Sequence, residues 1–278
     1  MGDLPGRLRD FTKYGVINIM NISLSAKELL YISAHLDAWS FIGVADAFEC
    51  MTEPEVLKEA QIIQKALLER DYIKLDIDGN MTIHEQVKEA VDTCANCRAV
   101  IMTERQITGK LKCRSYYYEK NGRIYALSEE LGGYCLNRVE GTDALHEVIT
   151  QKLKWQGESN APLCEVKLQT DILVKVIEVI EESCCQSGVD FLLDSGLKEN
   201  EANAICDAIT GKSSFYAISI SYLSGSENMI IEYLFFDTNY GIYQLCMDPE
   251  KDKSFITFSP ITADKVLEIY SEIVKAII

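Results

Sequence analysis

The chain has 278 residues, 47% of them hydrophobic and 25% charged, and this globular composition excludes disordered, collagenous and low-complexity readings. Its 27 Lys and Arg stand against 43 Asp and Glu, a net charge of −16. A surface that grips phosphates needs the opposite sign, so nucleic acid and anionic membranes are disfavoured as partners.

The acidity is uneven: residues 1–160 carry 19 basic and 24 acidic groups, and residues 161–278 carry 8 and 19. The opening Met1–Asp10 is short, polar and contains Pro5, unlike a secretory signal. No apolar run approaches the ~18 residues of a membrane helix. The ten cysteines are scattered, mostly in apolar segments, which reads as reduced thiols in a cytoplasm.

Ser25-Ala26-Lys27-Glu28 is a capping box that predicts a helix from Ala26 to about Leu36. Thr52-Glu53-Pro54-Glu55 is a second, opening an amphipathic helix to about Arg70. Tyr72–Ile83 alternates around Asp78-Gly79 and predicts a short hairpin. A helix over His84–Cys94 precedes strands at Ala99–Thr103, Lys112–Glu119, Arg123–Leu127 and Tyr134–Arg138, with Asn121-Gly122 as a tight turn. Thr142-Asp143 opens a helix through Leu153, and Trp155–Pro162 reads as a linker.

The order then starts over. Val166–Leu173 echoes Ile22–Leu29, opening a helix that reaches about Ser187. A helix over Glu199–Ile209 is closed by Gly211, and strands follow at Phe215–Leu223, Asn228–Asp237, Gly241–Met247 and Ser254–Phe258. Thr262-Ala263-Asp264 caps a last helix to Ile278. Tyr125 to Tyr243 is an offset of 118 and Thr142 to Thr262 one of 120, whereas Ile22 to Val166 is 144. A kept offset with one gap predicts an internal duplication with an insertion in the first half.

The expected fold is therefore α+β: two pseudo-repeated lobes, each an antiparallel meander with flanking helices, related by a pseudo-twofold axis. The first lobe would span residues 1–157, with a winged-helix-like insertion at about 52–83, and the second 158–278, together forming one unit.

Chemistry is sparse. Cys94 and Cys97 form a C-x-x-C with Cys113 sixteen residues on, a weak zinc candidate because the second paired knuckle is missing. The motif closes a helix, where the dipole opposes a thiolate, so packed thiols are the reading preferred over zinc or redox chemistry. Cys184-Cys185, placed near a helix end, read as core thiols. None of His35, His84 and His146 stands near a nucleophile motif, and phosphate-binding Gly-rich loops are missing. Asp76–Asn80 lacks the spacing of a calcium loop. The chain reads as a non-enzyme without cofactor. Residues 25–83 could form a winged helix, but acids crowd its would-be recognition helix and wing. Aromatics crowd both meanders, Tyr116–Tyr118 in the first and Tyr233, Phe235 and Phe236 in the second. Alternation buries one set and leaves the other to meet a helix, the other lobe or a partner.

Ile22-Ser23-Leu24-Ser25-Ala26-Lys27-Glu28-Leu29-Leu30-Tyr31-Ile32 resembles the opening of the EspG proteins, cytosolic chaperones of type VII (ESX) secretion in bacteria. Ala66-Leu67-Leu68-Glu69-Arg70-Asp71-Tyr72-Ile73, followed by Asp76-Ile77-Asp78-Gly79-Asn80, is similar to a second segment of that family, with Arg70-Asp71 in place of its usual Arg-Gly pair. The resemblance implies a cytoplasmic binding protein that holds a secreted helical-hairpin protein soluble until export. It carries the partner surface over to Arg105, Gln106, Ile107 and Thr108 between two meander strands, and to Val266, Ile269, Tyr270 and Ile273 of the last helix. A winged-helix transcription regulator and a zinc protein using Cys94 and Cys97 are the alternative readings.

Overall fold

Ser25 opens the first helix as the sequence dictates. Its hydroxyl accepts from the Glu28 N–H at 3.3 Å, and the Glu28 carboxylate accepts from the Ser25 N–H at 2.8 Å. The computed structural model describes residues 21–38, 41–106, 113–130, 132–152, 165–211, 213–224, 227–247 and 255–277. Along the first half run β1 (Ile22–Leu24), α1 (Ala26–Ala34), α2 (Glu53–Glu69), β2 (Ile73–Leu75), β3 (Met81–Ile83), α3 (Glu85–Ala95), β4 (Ala99–Gln106), β5 (Cys113–Lys120), β6 (Arg123–Glu130), β7 (Gly133–Val139) and α4 (Gly141–Lys152). The second half runs β8 (Val166–Gln169), α5 (Thr170–Glu182), α6 (Cys185–Asp194), α7 (Glu199–Ile209), β9 (Ser214–Ser224), β10 (Glu227–Thr238), β11 (Gly241–Met247), β12 (Phe255–Pro260) and α8 (Ala263–Ile277). Among the described residues the fold is α+β, with eight helices, a ten-stranded antiparallel sheet and the separate β2–β3 hairpin. The Trp155–Pro162 linker lies outside the described residues.

The chain divides into two compact units, Met1–Ala95 with Tyr125–Arg138, and Asn96–Ile124 with Val139–Ile278. In the first, α1 packs on α2 and α3, and β1 pairs antiparallel with β7, Leu24 opposite Tyr134. Gly133 is required at the start of β7, because a Cβ there would stand 2.7 Å from the Leu24 carbonyl oxygen. In the second unit the strands lie in the order β5-β4-β9-β10-β11-β12-β8. Its longest seams are β4–β9, from Ala99 opposite Tyr222 to Gln106 opposite Phe215, and β9–β10. Helices α5, α6 and α7 close a core over β8, β11 and β12 around Val176, Leu192, Ile205 and Phe258. Helix α8 packs against α4 and lays Tyr270 edge-on to Phe235 of β10, with ring centroids 6.0 Å apart.

Two charged clamps fix local ends. The β5–β6 turn places Asn121 and Gly122 in the left-handed region, and Gly122 donates to the Glu119 carboxylate at 2.8 Å. Arg98 pairs with the same carboxylate at 2.9 Å and also donates to the carbonyl of Ile277, the last helical residue of α8. That guanidinium satisfies one of the orphan carbonyls every helix end leaves.

One expected element needs correction. The helix beginning near Thr170 does not reach Ser187; it ends at Glu182, and a new helix starts at Cys185. Cys184 is the extended N-cap of α6 and not the core thiol expected near a helix end: it is exposed, while Cys185 is half-buried.

Candidate functional site

The residues proposed for partner binding sit at two places of the second unit. Arg105 and Gln106 end β4, with Arg105 opposite Cys113 on β5 and Tyr216 on β9. The Arg105 guanidinium lies 5.7 Å from the centroid of the Tyr216 ring, a cation–π contact. One residue earlier, Glu104 faces Arg114 across the ladder and pairs with it at 2.5 Å; the Glu104 carboxylate is nearly buried, and its hydrogen bond, then its charge, raises the Arg114 pKa. Neighbouring residues of β4 thus make an ion pair on one sheet face and a cation–π contact on the other. Ile107 and Thr108 lie outside the described residues.

The last helix turns its named residues inward. Val266, Tyr270 and Ile273 are buried, and Ile269 is half-buried. They form the apolar stripe that seats α8, so as placed they are core and not a free docking surface. Tyr270 connects them to the β4 end. Arg105 caps the ring of Tyr216, Tyr216 stands opposite Phe235, and Phe235 meets Tyr270 edge to face. The two predicted pieces are therefore joined through the core, and α8 supports the strand end that carries Arg105. Burial pushes the Tyr270 hydroxyl well above its ordinary pKa, with neighbouring Tyr216 adding to it. Among the described residues that oxygen has no hydrogen-bond partner.

The aromatic surplus is also absorbed internally. Adjacent Tyr117 and Tyr118 are both buried, although they face opposite sides of β5, so both faces are covered there. Phe236 is half-buried between Phe215 at 5.4 Å and Phe258 at 6.5 Å.

The cysteine candidates do not converge. Cys94 and Cys97 are buried, and burial pushes the Cys97 thiol to about 11, which opposes the thiolate a metal requires. Cys113 is exposed and pairs with Arg105, six residues along β4 from Ala99, roughly 20 Å at the rise of a strand. Among the described residues no group of three or more His, Cys, Asp or Glu is placed to hold a metal ion. No helix among them is long and apolar enough to cross a membrane.

Residues 25–83, the segment read as a winged helix, hold α1, α2 and the β2–β3 hairpin. Its wing presents Asp76 and Asp78, both exposed, so its electrostatics oppose a phosphate backbone. Large apolar side chains that sequence reasoning passed over are exposed here and elsewhere: Leu57, Ile62 and Ile77 in the first unit, Met229 and Ile230 in the second. The signal for Ile77 was available as an isoleucine inside an Asp-x-Asp-Gly turn.

No family model matches the chain, and no curated protein matches it. Among solved structures, its fold is similar to that of the Mycobacterium tuberculosis type VII secretion system chaperone EspG5, determined in complex with the PE25–PPE41 dimer. The match has a TM-score of 0.61 and 12% sequence identity, and it covers 93% of this chain and 95% of that one.

Proposed function

We propose that this chain is a non-enzymatic, cytosolic chaperone or adaptor of a type VII-like secretion system, and that it holds a secreted helical-hairpin protein, comparable to a PE–PPE dimer, before export. The observation that carries the reading is the likeness to EspG5 along nearly the whole length of both chains. It is supported by the resemblance of Ile22–Ile32 to the opening of that family. The acidity and the electrostatics of the wing favour a protein partner over nucleic acid.

The reading includes the duplication and its lobes, residues 1–157 and 158–278. What supports it is a strand order that mirrors across the β4–β9 seam: β4, β5, β6, β7, β1 on one side and β9, β10, β11, β12, β8 on the other. The partner surface lies at the β4 end, around Arg105, Gln106, Ile107 and Thr108, with Val266, Tyr270 and Ile273 as its support. An interface of ordinary size needs about 1,200–2,000 Å² of buried surface. Co-expression with each small helical protein encoded beside the gene tests the reading. The expected result is a stable 1:1 complex by light scattering, weakened when Gln106 is changed to Glu; co-purification with none of them overturns it.

A further inference from the structure

The β2–β3 hairpin carries the most exposed large hydrophobic residue described in the chain. Along it the apolar residues run outward from core to solvent: Ile73 is 1% exposed, Leu75 38% and Ile77 103%. Among the described residues Ile77 therefore packs on nothing. A side chain of this type at a turn tip contributes nothing to stability by burial, so the fold does not account for it.

The turn that presents it is rigidly built. The Asp76 N–H donates to the Asn80 carbonyl at 3.1 Å, and the Gly79 N–H to the Asp76 carbonyl at 3.1 Å. The Asp76 carboxylate accepts from the Asp78 N–H at 2.9 Å, the Asn80 N–H at 2.8 Å and the Asn80 side-chain amide at 2.9 Å. Gly79, with φ +79°, supplies the left-handed residue that closes the loop. Five hydrogen bonds within five residues hold the backbone on either side of Ile77. A side chain offered from a fixed backbone loses little freedom on binding, which is the main cost an exposed loop otherwise carries into a complex.

We propose that this tip is a preformed docking knob: Ile77, flanked by Asp76 and Asp78, enters an apolar pocket rimmed by Lys or Arg on a different protein. The flanking charges choose the rim. Two carboxylates beside an aliphatic anchor favour a positive collar and repel a negative one. Lys74, the nearest cation in the hairpin, alternates onto the opposite strand face from Leu75. A second copy of the chain is disfavoured because each copy carries −16 and the same acidic tip. Anionic lipid and nucleic acid are disfavoured by the same two aspartates. This knob is independent of the chaperone reading, which places its partner at the β4 end.

The test uses the full chain in its own cells, with a photo-crosslinking benzoylphenylalanine at position 77 and, as control, at exposed Glu69 on α2. The expected result is a light-dependent adduct at 77 that is absent at 69. The crosslinked protein, once identified and purified, should bind the wild-type chain with an affinity that falls as salt rises. Ile77→Ser should weaken it by about 30-fold, as for a hot-spot anchor, and Asp78→Asn by several-fold, with both variants unfolding at the wild-type midpoint. An adduct no stronger than the control, an adduct with a second copy of the chain, or a purified protein that binds Ile77→Ser as tightly as wild type overturns the proposal.

Discussion

Arg70 draws on the Glu28 carboxylate that also caps the first helix. Oε2 of Glu28 closes the capping box on the Ser25 N–H, while Oε1 receives Nη2 of Arg70. The same guanidinium donates to the carbonyls of Ala66 at 3.2 Å and Ser23 at 2.8 Å, and it lies 4.8 Å over the ring of Tyr72. One side chain thus joins the end of α2, the strand β1 and the first turn of α1. Arg70→Met leaves the mostly buried Glu28 without its counter-charge. With Arg70 about a third exposed, the expected loss is about 1–2 kcal/mol. Arg70→Lys should recover less than half of it, because an ammonium cannot serve three acceptors in a plane. Urea unfolding midpoints of the two variants check this.

Tyr270 offers the opposite sign. Its ring is part of the core, but its hydroxyl is buried with no hydrogen-bond partner among the described residues. Tyr270→Phe should therefore be neutral or stabilising by up to about 1 kcal/mol, since it removes a desolvated group that makes no hydrogen bond. Tyr270→Ala should cost about 3–5 kcal/mol through the cavity beside Phe235. Thermal unfolding of both separates ring from hydroxyl.

Gly188 sits where α6 crosses α5. A Cβ there would stand 2.5 Å from Cγ1 and 2.8 Å from Cδ1 of Ile180, and 3.3 Å from Sγ of Cys206 on α7. Gly188→Ala should cost about 1–3 kcal/mol by overpacking. Combining it with Ile180→Ala, which removes both crowding carbons, should give a double variant more stable than the sum of the single losses. A double-mutant cycle by denaturant unfolding measures that coupling.

The cysteines should separate by pH. Hydrogen bonding by Ser187, first through its side chain and then through its backbone, holds the exposed Cys184 thiol below its ordinary range. Burial pushes Cys97 from 9.0 to about 11. Iodoacetamide at pH 7.5 should label Cys184 far faster than Cys97, read by peptide mass spectrometry. The Cys97 shift also bears on stability. Between pH 9 and about 11 the unfolded thiol loses its proton while the folded one keeps it, so the folded state binds more protons and its stability falls as pH rises. The contribution is about 2–3 kcal/mol across that window, and Cys97→Ala should flatten that part of the profile.

Where the sequence carried a local chemical signal, the elements emerged with their bounds. Helix α7 over Glu199–Ile209 and strand β11 over Gly241–Met247 match expectation residue for residue. The capping box at Ser25 forms as read, and at Thr52 the Glu55 carboxylate accepts from the Thr52 N–H. The break at Ser183-Cys184 was not legible, because no Pro or Gly marks it and the apolar spacing runs on. The chain turns there so that α6 can pack back on α5 and α7, a tertiary demand, and the only local trace is Gly188, small enough for the crossing. The partner site was less legible still. An amphipathic helix such as α8 gives the same pattern whether its stripe meets a sheet or another protein, and here Val266, Tyr270 and Ile273 meet the sheet and α4.

The β4–β9 seam also sets the order in which the protein can be completed during synthesis. Ala99 of β4 pairs with Tyr222, and Arg98 waits for the carbonyl of Ile277, 179 residues later in the chain. At ribosomal speeds of 5–20 residues per second, the central strand leaves the ribosome roughly 5–25 s before β9 is available to pair with it. During that interval a strand as apolar as Ala99–Thr103 is open on one edge. The sheet therefore stays unfinished along that edge of β4 until β9 has been made, a non-local pairing of the kind that slows folding.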